Sequence, residues 1–149
     1  MSVSDEVVSW VKVAAHAASE LKASSVAAID VSELLPITEA FLIVSAASER
    51  QVRAIVNQIE RTLHETGVER RGREGISGEA RWVLLDYGDL IVHVFLDEDH
   101  ELYALEKLWG DQPSIDVSDV LVPDSDLVPE EDTTADLRGF FGFSTEESE

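Results

Sequence analysis

Hydrophobic and polar positions alternate with two different periods along the first three quarters of the chain. Val7, Val8, Val11, Ala14, Ala15, Ala18 and Leu21 recur at helical spacing, which predicts a helix over about 4–23. Ser25–Val31 reads as a strand that ends at Asp30. Phe41-Leu42-Ile43-Val44-Ser45 is a short continuous apolar run, the pattern of a strand covered on both faces. Ser48 then stands three residues before Gln51, a capping-box spacing, and Val52, Ile55, Val56, Ile59 and Leu63 make the inner stripe of a second helix. Gly67 stops that helix. A polar connection over Glu69–Glu79 follows, carrying Glu69, Glu74 and Glu79 against Arg70, Arg71 and Arg73. Arg81–Tyr87 and Leu90–Leu96 then predict two strands joined at Gly88-Asp89. A last amphipathic helix is predicted from about Asp99 to Trp109, with Leu102, Leu105, Leu108 and Trp109 on one face. This order of elements implies a small single α/β domain with a mixed β-sheet flanked by helices.

Charge divides the chain at about residue 112. Residues 1–112 hold 20 acids and 10 bases, a net of −10. Residues 113–149 hold 11 acids and the single base Arg138, also −10, together with three of the four prolines. The expected organisation is therefore a folded domain over 1–112 and an acidic, disordered tail over 113–149. One apolar island, Leu137–Phe143 with Phe140, Phe141 and Phe143, interrupts that tail. The total of −20 disfavours a phosphate backbone as the main ligand, so little direct nucleic-acid contact is expected, and a basic partner suits the field better. The chain has no cysteine, which removes disulfides, thiolate metal sites and cysteine nucleophiles. Asp5 and Glu6 stand where a signal peptide carries positive charge, and no apolar run approaches a membrane span of ~18 residues. The expectation is a soluble, cytoplasmic protein with no membrane contact.

Candidate chemistry is sparse. Asp97 and Asp99, two positions apart at a strand end, are the best enzymatic candidates, since paired carboxylates hold Mg²⁺ in nucleotidyl transfer. That chemistry also needs a Gly-Ser to grip phosphates, and the chain has none. The plainer reading is that these residues shape a strand-to-helix junction and cap the helix. His93 shares a strand face with Ile91 and Phe95 and lies near Asp86 and Asp89, but no Gly-x-Ser-x-Gly supplies a nucleophile, so a structural or interface histidine is favoured. His93 and His100 lack a metal-ligand spacing, and no metal or other cofactor is expected. Arg70, Arg71, Arg73 and Arg81 form the one basic cluster, diluted by neighbouring acids. Trp82, Tyr103 and Trp109 sit among Asp86, Glu106 and Asp111. Aromatic anchors with carboxylates around them describe a docking patch for a partner rich in Lys and Arg, although core packing would also use these side chains.

Four strings together resemble the ribosomal silencing factor (RsfS, or Iojap-like) family. They are Trp82-Val83-Leu84-Leu85-Asp86-Tyr87-Gly88-Asp89-Leu90-Ile91-Val92-His93-Val94-Phe95, then Tyr103-Ala104-Leu105-Glu106-Lys107-Leu108-Trp109, the helix start Ser48–Ile55, and Glu74-Gly75. The resemblance covers about residues 5–112. It implies an α/β fold with a nucleotidyltransferase-like topology and no catalysis. It further implies binding to the large ribosomal subunit through the ribosomal protein numbered fourteen, occlusion of the small subunit, and repression of translation when nutrients are scarce. The interface positions it implies are Trp82, Asp86, His93, Tyr103, Leu105, Glu106 and Trp109, and it implies a homodimer when free. The alternative is a metal-dependent nucleotidyltransferase-like enzyme using Asp97 and Asp99. Ala46-Ala47 stand where family members often carry a Gly before the Ser of the helix start, a departure that further weakens a nucleotide-binding loop.

Overall fold

The computed structural model describes residues 3–75, 81–98, 107 and 110–122. Its elements run α1 (Asp5–Glu20), β1 (Ser25–Asp30), β2 (Ala40–Ala46), α2 (Glu49–Glu65), β3 (Gly72–Glu74), β4 (Trp82–Asp86) and β5 (Leu90–Leu96). The five strands form one mixed sheet in the order β1-β2-β5-β4-β3. β2 and β5 are parallel neighbours, and every other pair is antiparallel. The expected α/β domain with a mixed sheet is thus the fold observed.

The two helices begin where side-chain oxygens satisfy their first N–H groups. Ser4 Oγ accepts from Val7 N, and Ser48 Oγ accepts from Gln51 N at 3.1 Å. The return half of the Ser48 box differs from expectation. Gln51 Oε1 accepts from Ala47 N, one residue earlier than a capping box requires. Its Nε2 donates to the carbonyls of Leu21 and Lys22. The side chain thereby ties the start of α2 to the end of α1, which is where Lys22 takes a left-handed conformation.

Burial follows the sheet's alternation. Leu42, Val44, Val83, Leu85, Val92 and Val94 face the stripes of α1 and α2, including Val7, Val11, Ile55 and Leu63. Ile29, Phe41, Ile43 and Phe95 build a smaller cluster on the opposite face, with Leu35 and Ile91 against it. β2 is buried along its whole length because both of its faces are covered, which accounts for the unbroken apolar run read in the sequence.

Two segments differ from the sequence reading. The polar connection after Gly67 contains a strand: Gly72, Arg73 and Glu74 pair with Asp86, Leu85 and Leu84. A short, charged edge strand carries no hydrophobic alternation, so its pairing is decided by the neighbour it finds. At the other sheet edge, the composition change near Asp111 does not coincide with the end of the packed chain. Asp30 N donates to Pro113 O, Ile115 N donates to Ala28 O, and Ser114 bridges to Ile29. Lys12 pairs with Asp119 at 3.0 Å, His16 Nδ1 donates to Val120 O, Val122 N donates to Ser19 Oγ, and Val117 is buried in the main core. Residues 113–122 therefore strap the open edge of β1 to α1. The predicted helix over 99–109, apart from Lys107, and residues 123–149 with their Phe140–Phe143 island lie outside the described residues.

The strap gives a direct test. Val117→Asp would place a charge where Val117 is only 6% exposed, so the segment should leave rather than bury it. The loss is at least about 2 kcal/mol, the worth of burying one valine, because Ile115, Val120 and Leu121 leave the core with it. Hydrogen exchange should then quicken at the Asp30 amide, which donates to Pro113 O. Unchanged exchange across β1 would contradict the strap's role in closing that edge.

Candidate functional site

The β4–β5 hairpin positions the candidate side chains. Gly88 takes φ +82° in the turn, Asp86 Oδ1 accepts from Gly88 N at 2.8 Å, and Tyr87 N donates to Leu90 O. This closes a two-residue turn, and the register that follows sets Trp82 opposite Phe95, Leu84 opposite His93 and Asp86 opposite Ile91. Directly opposed residues project to the same face. Trp82, Asp86 and His93 therefore share the sheet face that lies away from α1 and α2, with Phe41 and Ile43 contributed by β2.

On that face the rings form a contiguous group. The Trp82 indole stacks on Phe95 with centroids 5.1 Å apart and donates its Nε1–H to His93 Nδ1 at 3.2 Å. Phe41 meets the His93 ring edge-on at 4.9 Å. Trp82 is 40% exposed, whereas His93 is 5% exposed. Burial alone pushes the His93 imidazole down to about 4, so it is neutral near pH 7. Since its Nδ1 accepts, the ring proton sits on Nε2, which has no hydrogen-bond partner among the described residues. An Asp–His pair is not what the hairpin builds: the Asp86 carboxylate caps the turn, and the imidazole serves the indole.

Asp97 lies at the far end of β5. Its backbone N donates to Ala46 O, and its Oδ2 accepts from Ser24 Oγ at 2.7 Å, which fastens the ends of β5 and β2 to the start of β1. The helix that Asp97 and Asp99 were expected to cap lies outside the described residues. Asp99 and His100 lie outside the described residues, as do Tyr103, Leu105, Glu106 and Trp109. Among the described residues no group of three or more His, Asp or Glu is arranged to hold a metal ion, and no helix is long and apolar enough to cross a membrane. The basic cluster is partly neutralised from within, since Arg70 and Arg73 both bond Glu60 of α2.

Sequence reasoning missed Phe41, Phe95 and Gly75 as parts of this site. Gly75 follows β3 with φ +86°, and a Cβ there would lie 2.1 Å from Trp82 O. Its signal was the Glu74-Gly75 string, which carries no geometry by itself. The exposed apolar residues Leu34 and Ile37, on the β1–β2 loop, were also not singled out.

Comparison with known proteins bears on this arrangement. A family profile described as "Ribosomal silencing factor during starvation" matches residues 4–138, well beyond the change in composition near residue 113. The chain is 40% identical over 109 residues to the ribosomal silencing factor RsfS of Bacillus subtilis, covering 73% of this chain and 92% of that one. It is 39% identical over 110 residues to RsfS of Halalkalibacterium halodurans, covering 74% and 93%. A crystal structure of a Bacillus halodurans protein superposes with a TM-score of 0.65 at 35% identity, covering 76% of this chain and 99% of that chain. On this profile match, and on identity spread over nearly the whole of these relatives, the chain belongs to the ribosomal silencing factor family.

Proposed function

We propose that this protein binds the large ribosomal subunit through the ribosomal protein numbered fourteen and blocks joining of the small subunit, lowering translation when nutrients are scarce. The observation that carries this reading is the Trp82 indole, stacked on Phe95 yet 40% exposed at the edge of a sheet face. A large aromatic held in place and left partly bare is the usual anchor of a protein interface. Asp86 shares that face, and Tyr103, Leu105, Glu106 and Trp109 complete the proposed partner-facing set. Occlusion requires a docking site and bulk and no reacting group. The nucleotidyltransferase alternative depends on a pair of carboxylates, and Asp97 commits its Oδ2 to Ser24, while its buried Oδ1 has no hydrogen-bond partner among the described residues. The excess of acid, −20 over the chain, suits a basic protein partner more than RNA, with attraction that weakens as salt rises. We place the protein in the cytoplasm and expect a homodimer when it is free of the ribosome.

Co-sedimentation with purified large subunits tests the reading. Trp82→Ala should weaken binding by about 30-fold, the scale of a hot-spot residue. Glu65→Ala, exposed at the end of α2 and away from this face, should bind as the parent does. Equal binding of Trp82→Ala and the parent would reject the patch. Failure of the parent protein to reduce subunit joining would reject occlusion.

A further inference from the structure

We propose that His93 acts through Trp82, as a positioning residue that fixes the exposed indole for docking, and makes no contact with the partner itself. The inference rests on the docking reading above and changes the part that His93 plays in it. The family resemblance implies an interface position at His93, yet this side chain is 5% exposed beneath Trp82, Phe41 and Phe95. What reaches the surface is the indole to which its Nδ1 is bonded.

Three restraints act on Trp82. The ring stacks on Phe95 at 5.1 Å with an interplanar angle of 22°. The indole N–H is directed by His93 Nδ1, the hydrogen bond that acts on the side chain itself. The backbone is gripped from both sides: Leu96 N donates to Arg81 O on the β5 side, and on the β3 side Gly75 approaches so closely that no Cβ fits. A stack alone leaves a ring able to slide and turn in its plane, whereas a hydrogen bond at one edge sets the angle. Holding a side chain before docking saves the entropy of fixing it afterwards, worth about two- to tenfold in affinity.

The arrangement also carries a cost that packing does not require. With Nδ1 accepting, the Nε2 proton is buried without a partner among the described residues. An aliphatic side chain would suit this aromatic surrounding better for stability alone. Because Trp82 is partly exposed, water would satisfy its N–H if His93 were removed. A histidine here costs stability, and what it returns is the orientation of Trp82.

That asymmetry makes the test decisive. In the full chain carrying ¹⁵N-tryptophan, the Trp82 indole N–H is identified as the resonance missing from Trp82→Phe. In His93→Leu this N–H should exchange with water faster, and affinity for purified large subunits should fall about two- to tenfold. The melting temperature should not fall. His93→Asn places an amide oxygen close to the position of Nδ1 and should restore slow exchange and most of the affinity. Unchanged exchange in His93→Leu would overturn the proposal, as would lost affinity with the indole N–H still protected, which would mean direct contact. Should His93→Leu melt lower than the parent, His93→Asn decides: a protected N–H with parental affinity supports positioning, and a protected N–H with lost affinity overturns it. If Trp82→Ala binds as tightly as the parent, the docking reading has failed, while the exchange measurement still reports whether His93 holds the indole.

Discussion

Gly75→Ala is expected to lower the stability of the domain by about 3 kcal/mol, through a left-handed conformation costing ~1–2 kcal/mol and a clash costing about as much again. The left-handed part follows from φ +86° at this residue. The clash follows from the approach of Trp82 O to within 2.1 Å of the added Cβ, with Val83 Cα at 3.3 Å. Both neighbours are backbone and cannot rotate away. The chain has to lift the end of β3 off β4, weakening the pairing of Arg73 with Leu85 and of Glu74 with Leu84. Two other glycines separate the terms. Gly67 has φ +93° and nothing within 4 Å of the place a methyl would occupy, so Gly67→Ala should cost only the conformational part, ~1–2 kcal/mol. At Gly88 the nearest atoms belong to the Arg71 guanidinium, the far end of a long side chain that can swing aside. Urea denaturation of the three variants should therefore place Gly75→Ala well below the other two. Three equal losses would show that Trp82 O does not press on this position.

This site also shows what a sequence can and cannot convey. The two-residue turn at Gly88-Asp89 was legible from turn chemistry, and with it came the hairpin register that puts Trp82, Asp86 and His93 on one face. The inner stripe of α2 and the apolar run of β2 were equally legible, because burial at a fixed period leaves its mark on composition. The Trp82–His93 hydrogen bond was not, because it runs diagonally across the ladder and depends on side-chain rotamers that no spacing encodes. β3 escaped because an edge strand of three residues takes its conformation from β4. The strap escaped for a different reason. Pro113 and the acids after it resemble a solvated tail, while its pairing to the sheet uses backbone groups of Asp30 and Ala28 that any sequence presents at an open edge, and its ties to α1 come from Lys12, His16 and Ser19, about 100 residues away in sequence. Only Val117, and the partly buried Ile115, Val120 and Leu121, carry a hydrophobic signal there.

Acid should destabilise the fold well before its carboxylates protonate, and His93 is the reason. The folded imidazole titrates at about 4 because burial excludes its charged form, whereas in the unfolded chain it returns to its usual 6.5. Above pH 6.5 both states hold the ring neutral, and the full stability is present. As pH falls below 6.5 the unfolded chain gains a proton that the folded chain refuses, so stability declines by about 1.4 kcal/mol per pH unit. The decline ends near pH 4, where the folded ring also protonates, for a total of about 3 kcal/mol. Among the described residues the rings packed against His93 are Phe41, Trp82 and Phe95, and none of these is charged to offset the effect. Asp30 contributes in a separate window. Burial raises its carboxyl, but hydrogen bonds from the Ser32 side chain and backbone and from Val3 N outweigh it, so its contribution is lost only below its usual 3.8. At the alkaline end Tyr87 acts with the opposite sign. Burial, then the nearby Glu60, push its phenol from 10 up to about 12, so stability falls as pH rises through that interval. Urea unfolding between pH 7.5 and 4.5 isolates the histidine. The parent should lose most of the ~3 kcal/mol across this range, and His93→Leu, which has nothing to titrate at that position, should lose markedly less. Parallel pH profiles for the two proteins would show that the acid sensitivity arises elsewhere, since protonation of Trp82's acceptor would then carry no free-energy penalty.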